Sequence, residues 1–69
     1  MIRLSSIQQF QLFCLESYRA EKKTSGKQAL QDFEYYDVFH FLENGYEVLH
    51  TQGERYIVHE INHYLESRK

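Results

Sequence analysis

Residues 54–66 read E-R-Y-I-V-H-E-I-N-H-Y-L-E, and the spacing of their apolar side chains decides how the chain folds. At about 100° per residue, these side chains fall within one arc of about 120°, the width of a core-facing helical stripe. They are Ile57, Val58, Ile61, Tyr64 and Leu65. The stretch therefore predicts an amphipathic helix from about Glu54 to about Glu66, which needs other helices to cover its apolar face.

The same helix contains H-E-I-N-H at residues 59–63, which fits the H-E-x-x-H zinc signature of metalloproteases. His59 and His63 lie about 160° from the centre of the apolar stripe, on the face predicted to meet water. Glu66 is the nearest carboxylate on that face, and a chain of 69 residues has no second lobe to enclose a substrate. We interpret His59, His63 and Glu66 as an adventitious metal site at most, and we expect no catalytic residues and no cofactor.

The same periodicity predicts a first helix from about Ser6 to about Lys23, with Ser5 or Ser6 as its N-cap. Its predicted inward face consists of Ile7, Phe10, Phe13, Cys14 and Tyr18. Cys14 is the single cysteine of the chain, which excludes an internal disulfide. We expect it to be a small, buried and unreactive side chain.

Two shorter helices are predicted in the middle of the chain. Ser25 and Gln28 resemble a capping box that opens the second helix, and Asp37 is the predicted cap of the third. The predicted inward side chains are Ala29, Leu30 and Phe33 in the second helix, and Val38, Phe41 and Leu42 in the third. Asn44 and Gly45 are predicted to end the third helix through a left-handed conformation.

Residues 46–58 fit two structures. One is a short helix, a stop at Gly53 and the start of the final helix; the other is a β-hairpin that turns at Gln52 and Gly53, because apolar residues also alternate there. The absence of proline and the marginal stability of an isolated hairpin favour helices. The predicted fold class is therefore all-α, a compact single domain of four to five short helices, with an α+β fold containing a hairpin around residues 46–58 as the alternative.

Composition and charge limit the partners of the chain. Eight basic and ten acidic residues are spread along it and give a net charge of −2, so nucleic acid is not the expected partner. No segment approaches the ~20 apolar residues of a membrane span, and the start lacks an apolar signal core, which predicts a cytoplasmic protein with no membrane contact. A domain of this size buries only about 60% of its surface, so we expect a protein partner or a second copy to add stability.

Several polar aromatic side chains are candidates for contact with a partner. Five tyrosines exceed what a core of this size accommodates, so they either anchor an interface or cover the edge of the core with their hydroxyls in water. They are Tyr35, Tyr36, Tyr46, Tyr56 and Tyr64. His40 and His50 are expected to be half-buried and hydrogen-bonded to the backbone.

Four stretches together resemble a known family: F-C-L-E-S-Y at residues 13–18, S-G-K-Q-A at 25–29, Y-E-V-L-H-T-Q-G at 46–53, and Y-I-V-x-x-I-x-x-Y-L at 56–65. They resemble the small bacterial proteins called domain of unknown function thirty-seven ninety-one, over about residues 7–65. The resemblance implies an all-helical fold without assigned activity. It also implies genes beside those for proteins resembling ADP-ribosyltransferases, and hence an accessory or antitoxin-like role. Leu49, His50, Thr51 and Gly53 match the family's pattern, whereas His59 and His63 depart from it.

The predicted function is a bacterial protein-interaction module that is not an enzyme. Its predicted partner-binding residues are Tyr46, His50, Thr51 and Tyr56, and no small-molecule substrate is evident. One alternative is a small nucleic-acid-binding regulator with a helix-turn-helix, which would need a basic recognition helix that the sequence lacks. The other alternative is a metal-binding protein of the H-E-x-x-H type.

Overall fold

The computed structural model describes residues 4–69 of the chain and folds them into short helices packed around one core. The helices are α1 (Ser6–Lys22), α2 (Gly26–Tyr35), α3 (Val38–Asn44), α4 (Tyr46–Leu49) and α5 (Glu54–Arg68). No strand occurs within residues 4–69, so the all-α prediction is confirmed. The alternative with a hairpin around residues 46–58 is wrong, because Tyr46–Leu49 forms a helical turn and Gly53 is already the N-cap of α5.

Helix α1 lies at the centre and packs against α2, α3 and α5. The Gln11 side chain donates a hydrogen bond of 2.8 Å to the Phe39 carbonyl and so joins α1 to α3. The rings of Phe10 and Tyr46 meet edge to face with 5.4 Å between their centroids, which places α4 beside the start of α1. Helices this short are marginal alone, so these contacts between helices hold the fold together.

The inward faces of α1 and α2 differ from the prediction at two positions. Phe13 is 45% exposed and Leu30 is 40% exposed, although both were expected to face the core. Each lies about 100° around its helix from a fully buried neighbour, Cys14 and Ala29 respectively, and so falls outside the arc that the other helices cover. Ser17 lies inside that arc on α1 and is buried in spite of its hydroxyl.

Serine side chains cap the first two helices. The Ser5 hydroxyl accepts from the Gln8 backbone at 3.1 Å, and the Gln8 side chain accepts from the Ser5 backbone at 2.8 Å, which completes a capping box. Ser25 accepts from the Gln28 backbone at 3.1 Å and caps α2 as predicted. The second half of that box is absent, because the Gln28 side chain donates to Asp32 at 3.0 Å instead.

Gly45 ends α3 without the predicted left-handed conformation. Its φ is −95° and its ψ is 5°, so the chain continues directly into α4. A Cβ atom at this position would lie 2.9 Å from Leu49 Cδ1, which is buried in the core. Glycine therefore allows this close packing of Leu49, whose side chain would have to shift if a larger residue stood here.

Two residues other than glycine adopt positive φ among residues 4–69: Lys23 with φ 53° and Asp37 with φ 58°. Lys23 follows α1, and its N–H donates to the Ala20 carbonyl while the Thr24 N–H donates to the Arg19 carbonyl. This is the position that glycine usually occupies after a helix, because a Cβ atom is unfavourable in the left-handed conformation.

Replacing Lys23 by glycine is expected to raise the free energy of unfolding by about 0.5–1 kcal/mol, because the left-handed conformation costs glycine nothing. Lys22→Gly is the matched control, and it should lower the stability by about the same amount, since Lys22 is helical. Urea unfolding followed by circular dichroism measures both. Equal changes in the two variants would show that the conformation of Lys23 carries no strain.

Candidate functional site

The predicted partner-binding residues lie around the loop between α4 and α5. The His50 ring stacks on the Tyr46 ring, with 4.3 Å between centroids and 9° between planes, and its Nδ1 contacts the Tyr46 carbonyl. The Thr51 hydroxyl donates to the Val48 carbonyl at 2.8 Å, a local hydrogen bond within the same turn. His50 is exposed, not half-buried as expected, although it does contact a backbone carbonyl as predicted.

Tyr56 lies apart from this pair, on the outward face of α5, and is exposed. Hydrogen bonding to the Glu60 carboxylate, one turn further along the same helix, raises the pKa of the Tyr56 hydroxyl. The structure thus brings Tyr46 and His50 into contact. Thr51 instead bonds to Val48, and Tyr56 to Glu60. The role of these four residues in binding stays a prediction.

The histidines of H-E-I-N-H lie on the water-facing side of α5. His59 and His63 are exposed, while Ile57, Ile61 and Leu65 are buried on the opposite face, as the stripe predicts. Within residues 4–69, no three histidine, cysteine, aspartate or glutamate side chains lie close enough together to hold one metal ion. His59, His63 and Glu66 therefore do not converge on a common point.

Replacing both His59 and His63 by alanine is expected to change the free energy of unfolding by no more than about 0.5 kcal/mol, as for other surface substitutions. Thermal melts of untagged protein test this, and elemental analysis after dialysis against a mild chelator tests for bound zinc. One zinc retained per chain, and lost in the double variant together with stability, would contradict the interpretation as a solvated helix face.

A group of aromatic side chains forms a second surface, where the end of α2 meets α5. Here an open groove of about 400 Å³, which we call the tyrosine groove, is lined by Tyr35, Tyr36, Asp37, Tyr64 and Arg68. The Tyr64 hydroxyl donates to the Tyr36 carbonyl at 2.9 Å, and the Arg68 guanidinium lies 4.9 Å from the centre of the Tyr64 ring. Phe41 stacks on the same ring at 4.3 Å. Tyr64 is therefore held from three sides, and it fixes α5 against the turn between α2 and α3.

Asp37 forms this turn through its left-handed backbone, which Asp tolerates better than most residues. It occupies the N-cap position of α3, as predicted, but its side chain makes no capping hydrogen bond. The left-handed conformation differs from the extended one that cap residues use, and the carboxylate instead lies 3.3 Å from His40 Nδ1. His40 is exposed rather than half-buried, because it follows Asp37 by one turn at the surface.

The most exposed large aromatic side chain here is Tyr35, of which 82% remains open to water. Its ring meets the Tyr36 ring edge to face at 4.8 Å and 75°. We call these two residues the tyrosine pair. The partner-binding prediction left them out, although Y-Y-D at residues 35–37 carried a signal: two adjacent tyrosines at the end of one helix cannot both face the core.

Comparison with known proteins identifies a family and assigns no activity to this surface. The model of a family described as protein of unknown function (DUF3791) matches residues 9–68, nearly the whole chain. No curated protein and no solved structure matches the chain. Among residues 4–69, none of the helices is both long enough and apolar enough to cross a lipid bilayer.

Proposed function

We propose that this chain, which belongs to the DUF3791 family of proteins of unknown function, is a bacterial protein-interaction module rather than an enzyme. Its partner is a protein resembling ADP-ribosyltransferases, encoded nearby, which it assists or neutralises in the cytoplasm. The gene neighbourhood that the family resemblance implies supports the choice of partner. The tyrosine pair supports the choice of surface.

An exposed tyrosine ring contributes little to folding, but it offers a large contact area to a partner. Tyrosine is enriched at interfaces because its ring is apolar and its hydroxyl remains a hydrogen-bonding group. The Tyr35 ring rests against Tyr36, and Tyr36 in turn carries the carbonyl that accepts from Tyr64. Such a supported ring loses little conformational freedom on binding, which favours affinity.

The ionisable side chains support binding rather than catalysis. Burial raises the pKa of the Cys14 thiol to about 12, so it stays protonated at neutral pH and is a poor nucleophile. Asp37 and His40 are close to each other, but both are largely exposed, so water screens their interaction. Neither environment is typical of a tuned acid, base or nucleophile.

Co-expression of the chain with the neighbouring transferase-like protein tests the proposal. We expect a complex that survives gel filtration, and titration calorimetry should show that Tyr35→Ser weakens it at least about tenfold, as for an aromatic interface anchor. Leu12→Ser is the matched control, because Leu12 is an exposed apolar residue on α1 outside both the tyrosine pair and the predicted partner-binding residues, and it should change the affinity less than about twofold.

Three outcomes would contradict the proposal or relocate the surface. Absence of a complex at about 50 μM of each protein would exclude an affinity of functional strength. Salt-sensitive binding of duplex DNA instead would support the regulator alternative. A loss of affinity in Tyr56→Ser but not in Tyr35→Ser would place the interface on the predicted residues around α4 and α5. Light scattering on the chain alone shows whether a second copy takes the partner's place.

A further inference from the structure

We propose that the tyrosine pair and the acidic residues beside it bind an arginine side chain from a basic segment of the protein partner. This inference rests on the proposed function and names the chemistry of the contact. The contact lies on the α2 side of the pair, in an open groove of about 750 Å³ that we call the acidic groove. The acidic groove is lined by Gln28, Gln31, Asp32, Glu34, Tyr35 and Tyr36.

The residues that line the acidic groove include carboxylates but no basic side chain. Its ionisable lining residues other than the tyrosines are Asp32 and Glu34, and none is lysine, arginine or histidine. Asp32 accepts from the Tyr18 hydroxyl at 3.1 Å and from the Gln28 amide at 3.0 Å, both neutral donors that orient the carboxylate without cancelling its charge. Glu34 is exposed and forms no ion pair within residues 4–69. A bound group of complementary charge is therefore a cation.

The aromatic wall favours a cation of a particular kind. The exposed face of Tyr35 presents the negative side of its ring quadrupole, which attracts a cation within about 6 Å. On the opposite side of the tyrosine pair, the Arg68 guanidinium already lies 4.9 Å over the Tyr64 ring. One arginine of the chain itself thus already packs on a tyrosine ring at this surface. The acidic groove offers the exposed Tyr35 ring and the Glu34 carboxylate, and no lysine or arginine is among its lining residues.

Arginine fits this arrangement better than lysine. Its planar guanidinium stacks on an aromatic face and at the same time donates two parallel hydrogen bonds to one carboxylate, here Glu34. The amide oxygens of Gln28 and Gln31 are further acceptors at the same groove. An ammonium group is more strongly hydrated and cannot make the bidentate contact.

The shape and charge of the acidic groove favour a protein segment over other occupants. Sites for small ligands are usually enclosed and bury most of the ligand, whereas this groove is open along its length. Nucleic acid would bring phosphates toward Asp32 and Glu34, where like charges repel. A flexible or helical segment with an exposed arginine can enter from the side and continue across the Tyr35 ring.

The test uses the full chain labelled with ¹⁵N and three short amidated peptides that differ at one residue: arginine, lysine or citrulline, the neutral isostere of arginine. We expect the arginine peptide to shift the amide resonances of Gln31, Glu34 and Tyr35. The lysine peptide should bind about threefold more weakly, and the citrulline peptide should cause no shifts there. Shifts of equal size with all three peptides, or none with arginine, would overturn the inference.

Variants separate the contributions of charge and ring. Glu34→Gln should weaken the arginine peptide about threefold to fivefold, as expected for one exposed ion pair, and Tyr35→Ser should weaken it about tenfold. Glu43→Gln is the matched control, an exposed glutamate on α3 that does not line the acidic groove, and it should have no effect. Because Glu34 and Tyr35 are exposed, neither variant is expected to disturb the fold.

The same variants distinguish this inference from the proposed function. If the transferase-like protein binds the wild type and Glu34→Gln equally well, the arginine contact is wrong while the proposed function stands. If the arginine peptide binds as expected but no transferase-like protein does, the proposed function is wrong while the acidic groove still selects arginine.

Discussion

Replacing Phe33 by alanine is expected to leave most of the protein molecules unfolded at room temperature. Phe33 is fully buried on α2, and its ring lies 5.3 Å from the ring of Tyr18 on α1 and 5.3 Å from the ring of Phe39 on α3. Removing a buried phenylalanine costs about 3–5 kcal/mol, which includes the cavity it leaves. A single core in a domain of this size rarely supplies more than about 3–5 kcal/mol in total.

Far-UV circular dichroism at 25 °C and urea unfolding measure this effect. Leu30→Ala is the matched control, because Leu30 lies on the same helix but remains 40% exposed, and it should cost less than about 1 kcal/mol. A Phe33→Ala variant with native helix content and a cost similar to that of Leu30→Ala would show that the three helices do not depend on this ring.

The first, second and last helices were predictable because each carries a clear local signal. The stripe of α5 has the period of a helix, and Ser5 and Ser25 cap the helices that follow them. These signals involve residues within about four positions of each other, so they can be read directly from the sequence. For residues 46–58, a hairpin would have had only two strands, and two strands alone are marginally stable in water. This argument favours helices there.

The exact inward faces were less predictable, because they depend on where the other helices lie. Phe13 and Leu30 are apolar and stand next to buried positions, yet their neighbours in space leave them partly uncovered. Ser17 is polar and is covered. The spacing of apolar residues predicts where the buried stripe is centred, but not how wide it is. On α1, the packing of three other helices determines that width.

The candidate surface shows the same limit. Local spacing turns Tyr35 away from the buried Phe33, because the two lie about 200° apart around α2, but the groove beside Tyr35 depends on contacts distant in sequence. Tyr64 reaches the Tyr36 carbonyl across 28 positions of sequence. Contacts of that separation require the fold itself.

Alkaline pH is expected to destabilise the folded chain by several kcal/mol, chiefly through Cys14. Burial raises the pKa of this thiol from its ordinary value of 9.0 to about 12. Above pH 9.0 the unfolded chain therefore loses the thiol proton while the folded chain keeps it, so the unfolded state gains stability as the pH rises. The stabilisation is complete below pH 9.0 and is lost progressively toward pH 12, at about 1.4 kcal/mol per pH unit.

Tyr18 adds to this loss at the upper end of the range. Burial, the charge of Asp32 and the hydrogen bond to its carboxylate raise the pKa of the Tyr18 hydroxyl from 10.0 to about 12. Its contribution therefore begins to disappear about one pH unit later than that of Cys14. Both side chains are buried, so their ionised forms are less favourable in the folded chain than in water.

Cys14→Ala isolates the thiol. At about pH 8 the variant should be less stable than the wild type by about 1–2 kcal/mol, because a small cavity replaces the sulfur. Between about pH 8 and about pH 11 the wild type should lose about 2–3 kcal/mol more than the variant, so that the order of stability reverses. Urea unfolding at each pH under reducing conditions measures the difference, and the lysines and exposed tyrosines common to both proteins cancel from it. A difference that stays constant from pH 8 to pH 11 would mean that the Cys14 thiolate is no less stable in the folded chain than in water.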